Sequence, residues 1–241
     1  MRKSTIARIS GGGQARRLSA KGFTLAETLI TLGIIGIVAA MTLPVIVGKY
    51  KKQVTVSHLK KFYTTMNQAL KRSEVDNGEF KYWSDGKEMG GTAYFNKYWA
   101  PYLKGFKICK TYSACMYNSR QPFKDLSGNA SGAVVVSEDS RTTLMLPDGT
   151  VVINFVAMGG SEDTEAAATS IIYVDVNGRK NPNVFGKDVF IFARTQNGLV
   201  QPYGINSDNT VKSSCRKGGD GWACAAKIVK DGWEIKDDYP W

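Results

Sequence analysis

An α+β fold, with one long helix leading into an antiparallel sheet, is what this sequence predicts, on three observations. Residues 28–47 carry no charge at all. Apolar residues then recur at three- and four-residue steps up to Leu70, the spacing of one helix face. Beyond residue 130 the pattern changes to short β-branched and aromatic runs punctuated by Gly, Pro and Asn, the signature of strands and turns. The 241 residues are 43% hydrophobic and 22% charged, which suits a chain with a buried core. It excludes a disordered acidic tail, a collagen-like repeat and a multi-span transporter. The formal charge is +11, but Arg2, Lys3, Arg8, Arg16, Arg17 and Lys21 crowd a leader with no acid in residues 1–22. The remainder is only mildly basic, so no sequence-specific nucleic-acid partner is expected from charge.

The first element runs from Phe23 to Val47, where Glu27 is the only charge. Twenty helical residues span about 30 Å, the thickness of a bilayer's hydrocarbon core. Backbone in lipid must satisfy its own hydrogen bonds, so the segment should be helical. A cleaved secretory signal would be shorter and end in small residues, and Ala39-Ala40 match that poorly. A buried core helix of this length would be unusual in so small a chain. A signal anchor with its N-terminus in the cytoplasm fits the cations upstream. Two residues do not suit an inert anchor. Glu27 costs roughly 2.5–3.5 kcal/mol on insertion scales if left alone in lipid, unless it reaches the headgroups or gains a cationic partner. Pro44 lacks an N–H and should kink or locally melt the helix; Gly33 and Gly36 weaken the same stretch.

Lys21-Gly22-Phe23-Thr24-Leu25, then Glu27, then the apolar run together resemble the processing site of type IV pilins and type II secretion pseudopilins. The resemblance covers about a tenth of the chain. It implies cleavage by prepilin peptidase after Gly22 and methylation of the new amine on Phe23. It places Glu27 where the family pairs a carboxylate with a neighbour's N-terminal amine. Gly36 and Pro44 fall where the family commonly has a glycine and a helix-disrupting proline. Ala26, Thr28 and Thr31 depart from it, standing where bulkier apolar residues are usual, and the leader is longer than in many members. Buried ions that fix register are the best-attested use of such pairs.

The helix continues past the apolar run. Leu59, Phe62, Tyr63, Met66, Ala69 and Leu70 form its buried stripe, with Lys60, Lys61, Lys71 and Arg72 between them, and Asn77-Gly78 offers a stop. From Phe23 to about residue 76 this is one helix on the order of 80 Å long at 1.5 Å per residue. Lys49, Lys51 and Lys52 read as a solvated boundary, and His58 is the chain's only histidine.

Residues 77–241 suffice for one domain with its own core. Its opening is rich in aromatics, Tyr82 to Phe106, which are expected to pack against the helix rather than form a ligand platform. Strands are expected at 133–137, 141–146, 150–156, 170–176 and 187–194. Pro147-Asp148-Gly149 should turn the second into the third as a hairpin, and 157–169 should be a loop. The segment 175–188 is dense in oxygen side chains, and Asp175, Asn177 and Asp188 are candidate Ca²⁺ ligands. Some major pseudopilins hold calcium in a late loop, which the resemblance adds to this reading; the bland alternative is an Asn-Gly turn bonded to its own backbone. Cys109, Cys115, Cys215 and Cys224 have spacings poor for zinc or redox chemistry and allow three disulfide pairings. Joining neighbours in sequence closes two small loops, and the second resembles the C-terminal disulfide loop of many pilins. No H-E-x-x-H or G-x-S-x-G occurs, so catalysis is not expected.

The sequence thus divides into a basic leader 1–22, a helix 23–76 with its membrane and assembly segment at 23–47, and an outer domain 77–241. The resemblance implies a pilin-like fold, with the second half of the helix on the sheet. It implies a pseudopilin or minor pilin of a type II secretion or type IV pilus filament. The expected partners are other pilin or pseudopilin subunits, prepilin peptidase and inner-membrane lipid. The expected place is the cytoplasmic membrane, as a single-pass precursor, and then a periplasmic or surface filament. A static signal-anchored surface-binding protein and a DNA-uptake pilin are the competing readings.

Overall fold

A computed structural model describes residues 22–84, 86–137, 141–156, 170–194 and 199–241. The basic leader through Lys21 and the loop expected at 157–169 lie outside the described residues. The chain divides after Val47 into two compact units. One helix, α1 (Leu25–Asn77), contributes to both.

In the first unit α1 is apolar around its whole circumference. Leu29, Ile30, Leu32, Ile34, Ile35 and Ile37 are all exposed, as suits a helix that meets lipid or other helices rather than a sheet. The helix is long and apolar enough to cross a membrane. It runs unbroken through Pro44, so the local melting expected there does not occur. Proline removes one N–H, while the bonds on either side persist. Thr28, Thr31 and Thr42 donate their hydroxyls to the carbonyls of Thr24, Glu27 and Val38 at 2.9–3.1 Å, which hides these polar groups on the helix's own backbone.

In the second unit Leu59, Phe62, Met66, Ala69 and Leu70 are buried, as the stripe read from the sequence requires, while Tyr63 of that stripe is half-buried at its side. The helix ends at Asn77, and Gly78 takes φ +79°, the left-handed conformation common just past a helix. Asn77 Nδ2 donates to the Ser73 carbonyl and to the Tyr102 hydroxyl, both at 3.1 Å. Then come α2 (Gly86–Met89) and α3 (Gly91–Tyr98), helices not foreseen in the aromatic stretch. Tyr94, Phe95, Tyr98 and Trp99 are buried in the core that includes Phe62 and Met66. Trp83 stacks on Tyr98 with ring centroids 4.3 Å apart. Tyr82, 76% exposed, is the exception.

The described strands form one antiparallel sheet in sequence order. They are β1 (Lys107–Ile108), β2 (Arg141–Met145), β3 (Val151–Val156), β4 (Ser170–Asp175), β5 (Val189–Arg194) and β6 (Val200–Pro202). The β2–β3 hairpin closes over Pro147-Asp148-Gly149, with the Leu146 N–H donating to the Thr150 carbonyl at 2.8 Å. Residues 133–137, expected as a strand, are not one. The reason lies at the edge of β2. There β1 pairs with Leu144 and Met145, and the Cys109 N–H takes the Thr143 carbonyl. With that edge occupied, 133–137 is held by isolated bonds, from the Val135 N–H to Arg120 and from the Thr143 hydroxyl to Val136.

Both faces of the sheet are buried. On one, Val152, Val174, Phe190 and Phe192 join the helix residues. On the other, Val151, Ile153, Val189 and Ile191 pack on Tyr117, Phe123, Val135 and Phe185. Alternate strand residues point to opposite faces. A strand covered on both sides therefore reads as a continuous apolar run, as in Val189-Phe-Ile-Phe-Ala193. Two short helices, α4 (Asp208–Ser214) and α5 (Cys224–Lys230), complete the domain. The Ser207 hydroxyl accepts the Thr210 N–H to start α4.

Candidate processing and assembly site

The start of α1 is built from Thr24 and Glu27. The Thr24 hydroxyl oxygen accepts the Glu27 N–H at 3.2 Å, while the Thr24 N–H and hydroxyl both donate to Glu27 Oε2 at 2.9 Å. This is a capping box, in which the residue before the helix and the third residue within it satisfy each other's orphan donors. The pattern Thr-x-x-Glu is visible in residues 24–27, a capping signal masked by the apolar run in which Glu27 stands out as the only charge. Gly22 and Phe23 lie just before this box, and Phe23 is 89% exposed. The Gly22–Phe23 peptide bond thus sits outside the helix, where backbone has no regular partners to surrender.

Gly33 and Gly36 have open space where a side chain would begin, so neither glycine is required by packing within the subunit. Pro44 lies on the same exposed stretch. Glu27, Gly36 and Pro44 therefore share the exposed, apolar first half of α1, and Gly22 and Phe23 stand at its entrance.

The four cysteines pair as Cys109–Cys115 and Cys215–Cys224. The first ties the end of β1 to a buried turn beside Tyr117. The second joins the end of α4 to the start of α5.

Asp175, Asn177 and Asp188 do come together, deep in the domain. Asp175 is fully buried and Asp188 is 3% exposed. Their oxygens are already occupied by donors from the chain. Tyr117 donates its hydroxyl to Asp175 Oδ2 at 2.6 Å, and the Asn177 N–H donates to Asp175 Oδ1 at 3.1 Å. Asp188 accepts the Val184 N–H at 2.7 Å, the Asn183 N–H at 2.9 Å and the Asn177 side-chain amide at 3.1 Å. With its amide nitrogen turned inward, Asn183 also donates to Asp175 Oδ2 at 3.3 Å. Burial, and then the neighbouring Asp188 charge, push the Asp175 carboxyl well above the carboxylate range, against the pull of the Tyr117 hydroxyl. Burial likewise raises Asp188 and drives the Tyr117 hydroxyl far up. A calcium ion takes six to eight oxygen ligands converging on it. Here the carboxylates face N–H and O–H donors, and only the buried Asn177 Oδ1 is left over. Among the described residues no group of three His, Cys, Asp or Glu could hold a metal. The donor set does not fit resident calcium; the loop closes on its own hydrogen bonds.

Two comparisons bear on the chain. The prokaryotic N-terminal methylation motif matches residues 17–43, the prepilin-type signal of type IV pilins and pseudopilins. A second model, described as a family of unknown function (DUF6613), matches residues 45–241. No curated protein and no solved structure matches.

Proposed function

The chain belongs to the family of unknown function DUF6613, and from that premise we propose that it is a structural filament subunit, a pseudopilin or minor pilin. The observation that carries this reading is the methylation motif over residues 17–43, set on a helix whose start is capped and whose apolar first half is exposed.

In this reading the precursor is held in the cytoplasmic membrane by residues 23–47, with its leader in the cytoplasm. Prepilin peptidase hydrolyses the Gly22–Phe23 bond, leaving a carboxylate on Gly22 and a free amine on Phe23, which is then methylated. Leaving the bilayer requires the apolar face of α1 to be reburied against neighbouring helices, because exposing it to water costs about 25 cal/mol for each Å². The new amine of one subunit pairs with Glu27 of the next, and that buried ion pair fixes axial register. The pair exists only after cleavage, so an uncut precursor does not join the filament in register. The system served is secretion or a pilus; chemistry is not part of the role.

The test is mass spectrometry of the N-terminal peptide from protein taken from its native cells. A chain beginning at methylated Phe23 is expected. A chain retaining Gly22 in cells with an active peptidase overturns the reading in favour of a static anchor.

A further inference from the structure

On α1, Lys61, Thr65, Gln68 and Arg72 follow one another at four-, three- and four-residue steps, one stripe along the helix. They flank the buried stripe on the side of the β2–β3 turn, where Lys61 Nζ lies 2.7 Å from Asp148. A groove of about 300 Å³ opens here, floored by Phe62 and Leu103 and rimmed by Lys61, Arg72 and Lys104. Among the described residues Arg72 and Lys104 have no carboxylate partner, and both are exposed. The groove is thus apolar within and cationic around its rim.

The opposite flank of the buried stripe carries Lys60, Tyr63 and Asn67. Lys60 and Tyr63 lie against Trp233, and Asn67 bonds Val200 in β6. The sheet order places β6 at the edge remote from β1 and β2. Past Trp233 the chain presents Glu234 and Asp237, both exposed and without a cationic partner among the described residues, and then Trp241, 37% exposed. Asp238, by contrast, is engaged by Lys227.

We propose that the exposed Glu234, Asp237 and Trp241 of one copy, held on a segment anchored by the buried Ile235 and Tyr239, dock in the groove rimmed by Lys61, Arg72 and Lys104 of a second copy. Charge complementarity selects the occupant. Two unpaired carboxylates and an exposed aromatic ring stand on one flank, and two unpaired cations around an apolar floor on the other. The two surfaces differ and lie on opposite flanks, so the contact is heterologous and leaves a free groove and a free segment on every pair. It propagates rather than closing as a two-fold dimer. Exposed ion pairs contribute little each, so the contact sets the register and orientation of outer domains that α1 brings together. The inference deepens the filament reading and rests on it.

The test uses the full mature chain in detergent, over a range of concentrations, carrying both Lys104→Cys and Asp237→Cys. Mild oxidation should give a ladder of dimers, trimers and longer species on a non-reducing gel, with neither single variant exceeding the unmodified chain. A second arm uses charge. Arg72→Glu with Lys104→Glu should lower self-association at least tenfold, and adding Glu234→Lys with Asp237→Lys should restore it. Absence of the ladder, dimers from Lys104→Cys alone, an adduct with a different protein, or charge reversal without rescue would each overturn the contact. The N-terminal peptide mass scores processing separately. Cleaved, methylated chains without a ladder reject the groove contact alone, whereas chains retaining Gly22 reject the filament reading.

Discussion

Thr24 and Glu27 satisfy one another before any neighbouring subunit arrives, so the carboxylate near the mouth of the apolar segment is solvated by its own chain. That lowers the cost of holding it there and leaves its charge available to a partner amine. Glutamine also serves in a capping box, which allows the two roles to be separated. Glu27→Gln should keep the first turn, while Thr24→Ala should fray it by about 1 kcal/mol; amide hydrogen exchange at residues 25–28 reads both. Filament assembly should fail in Glu27→Gln despite normal membrane insertion. Ordered filaments from that variant would remove the ion pair from the account. Deeper in the chain, Asp175 is a buried acid whose folded-state value lies above its ordinary 3.8. The folded state therefore holds the proton more tightly. The stability this contributes is complete below the ordinary value and is lost as pH rises through the folded one. Thermal stability should fall as pH rises above the ordinary carboxylate value, and less so in Asp175→Asn, which keeps an acceptor for the Asn177 N–H. Because the pair is met by protein donors, chelator and added Ca²⁺ should leave the melting temperature unchanged; a saturable Ca²⁺-dependent rise would reinstate the ion.

At the level of elements, α1 is one helix with two surfaces of different purpose. In its first half Gly36 borders open space, so Gly36→Leu should leave folding and membrane insertion intact. If neighbouring helices approach at the glycine, the same change should block lateral packing, as measured by cross-linking between subunits. In its second half Asn67 clamps the edge strand, donating to the Val200 carbonyl and accepting the Val200 N–H, each at 3.0 Å. Asn67→Ala leaves both backbone groups unmet beside the helix, and should cost about 1–3 kcal/mol, seen as a lower midpoint in denaturant. The strands teach a related point. Runs such as Val189–Ala193 announce themselves because both faces are covered. Residues 133–137 carry the same chemistry and are not a strand, because β1 already holds the edge of β2. Composition describes what a segment can bury, whereas pairing depends on which edge is open.

Across the whole molecule, the legible parts were those whose signal is local. An uncharged run of twenty residues can only be an apolar helix. The stripe from Leu59 to Leu70 repeats at helical period, and Pro147-Asp148-Gly149 enforces a turn within three residues. The glycine, the glutamate and the apolar span that mark the processing site are contiguous, so the sequence by itself determined them; of the three pairings open to the cysteines, the structure selected the one between sequence neighbours. The tertiary structure decided what depends on distant residues. It brought Tyr117 to Asp175 across 58 positions, so that the oxygen-rich loop closes on hydrogen bonds rather than offering its carboxylates to a cation. It also set an acidic segment and a basic groove on opposite flanks of α1, for a contact made between different copies. Local patterns fix the backbone's own hydrogen bonds and the turns, while burial and charge at a site are set by whichever remote segment is folded against it.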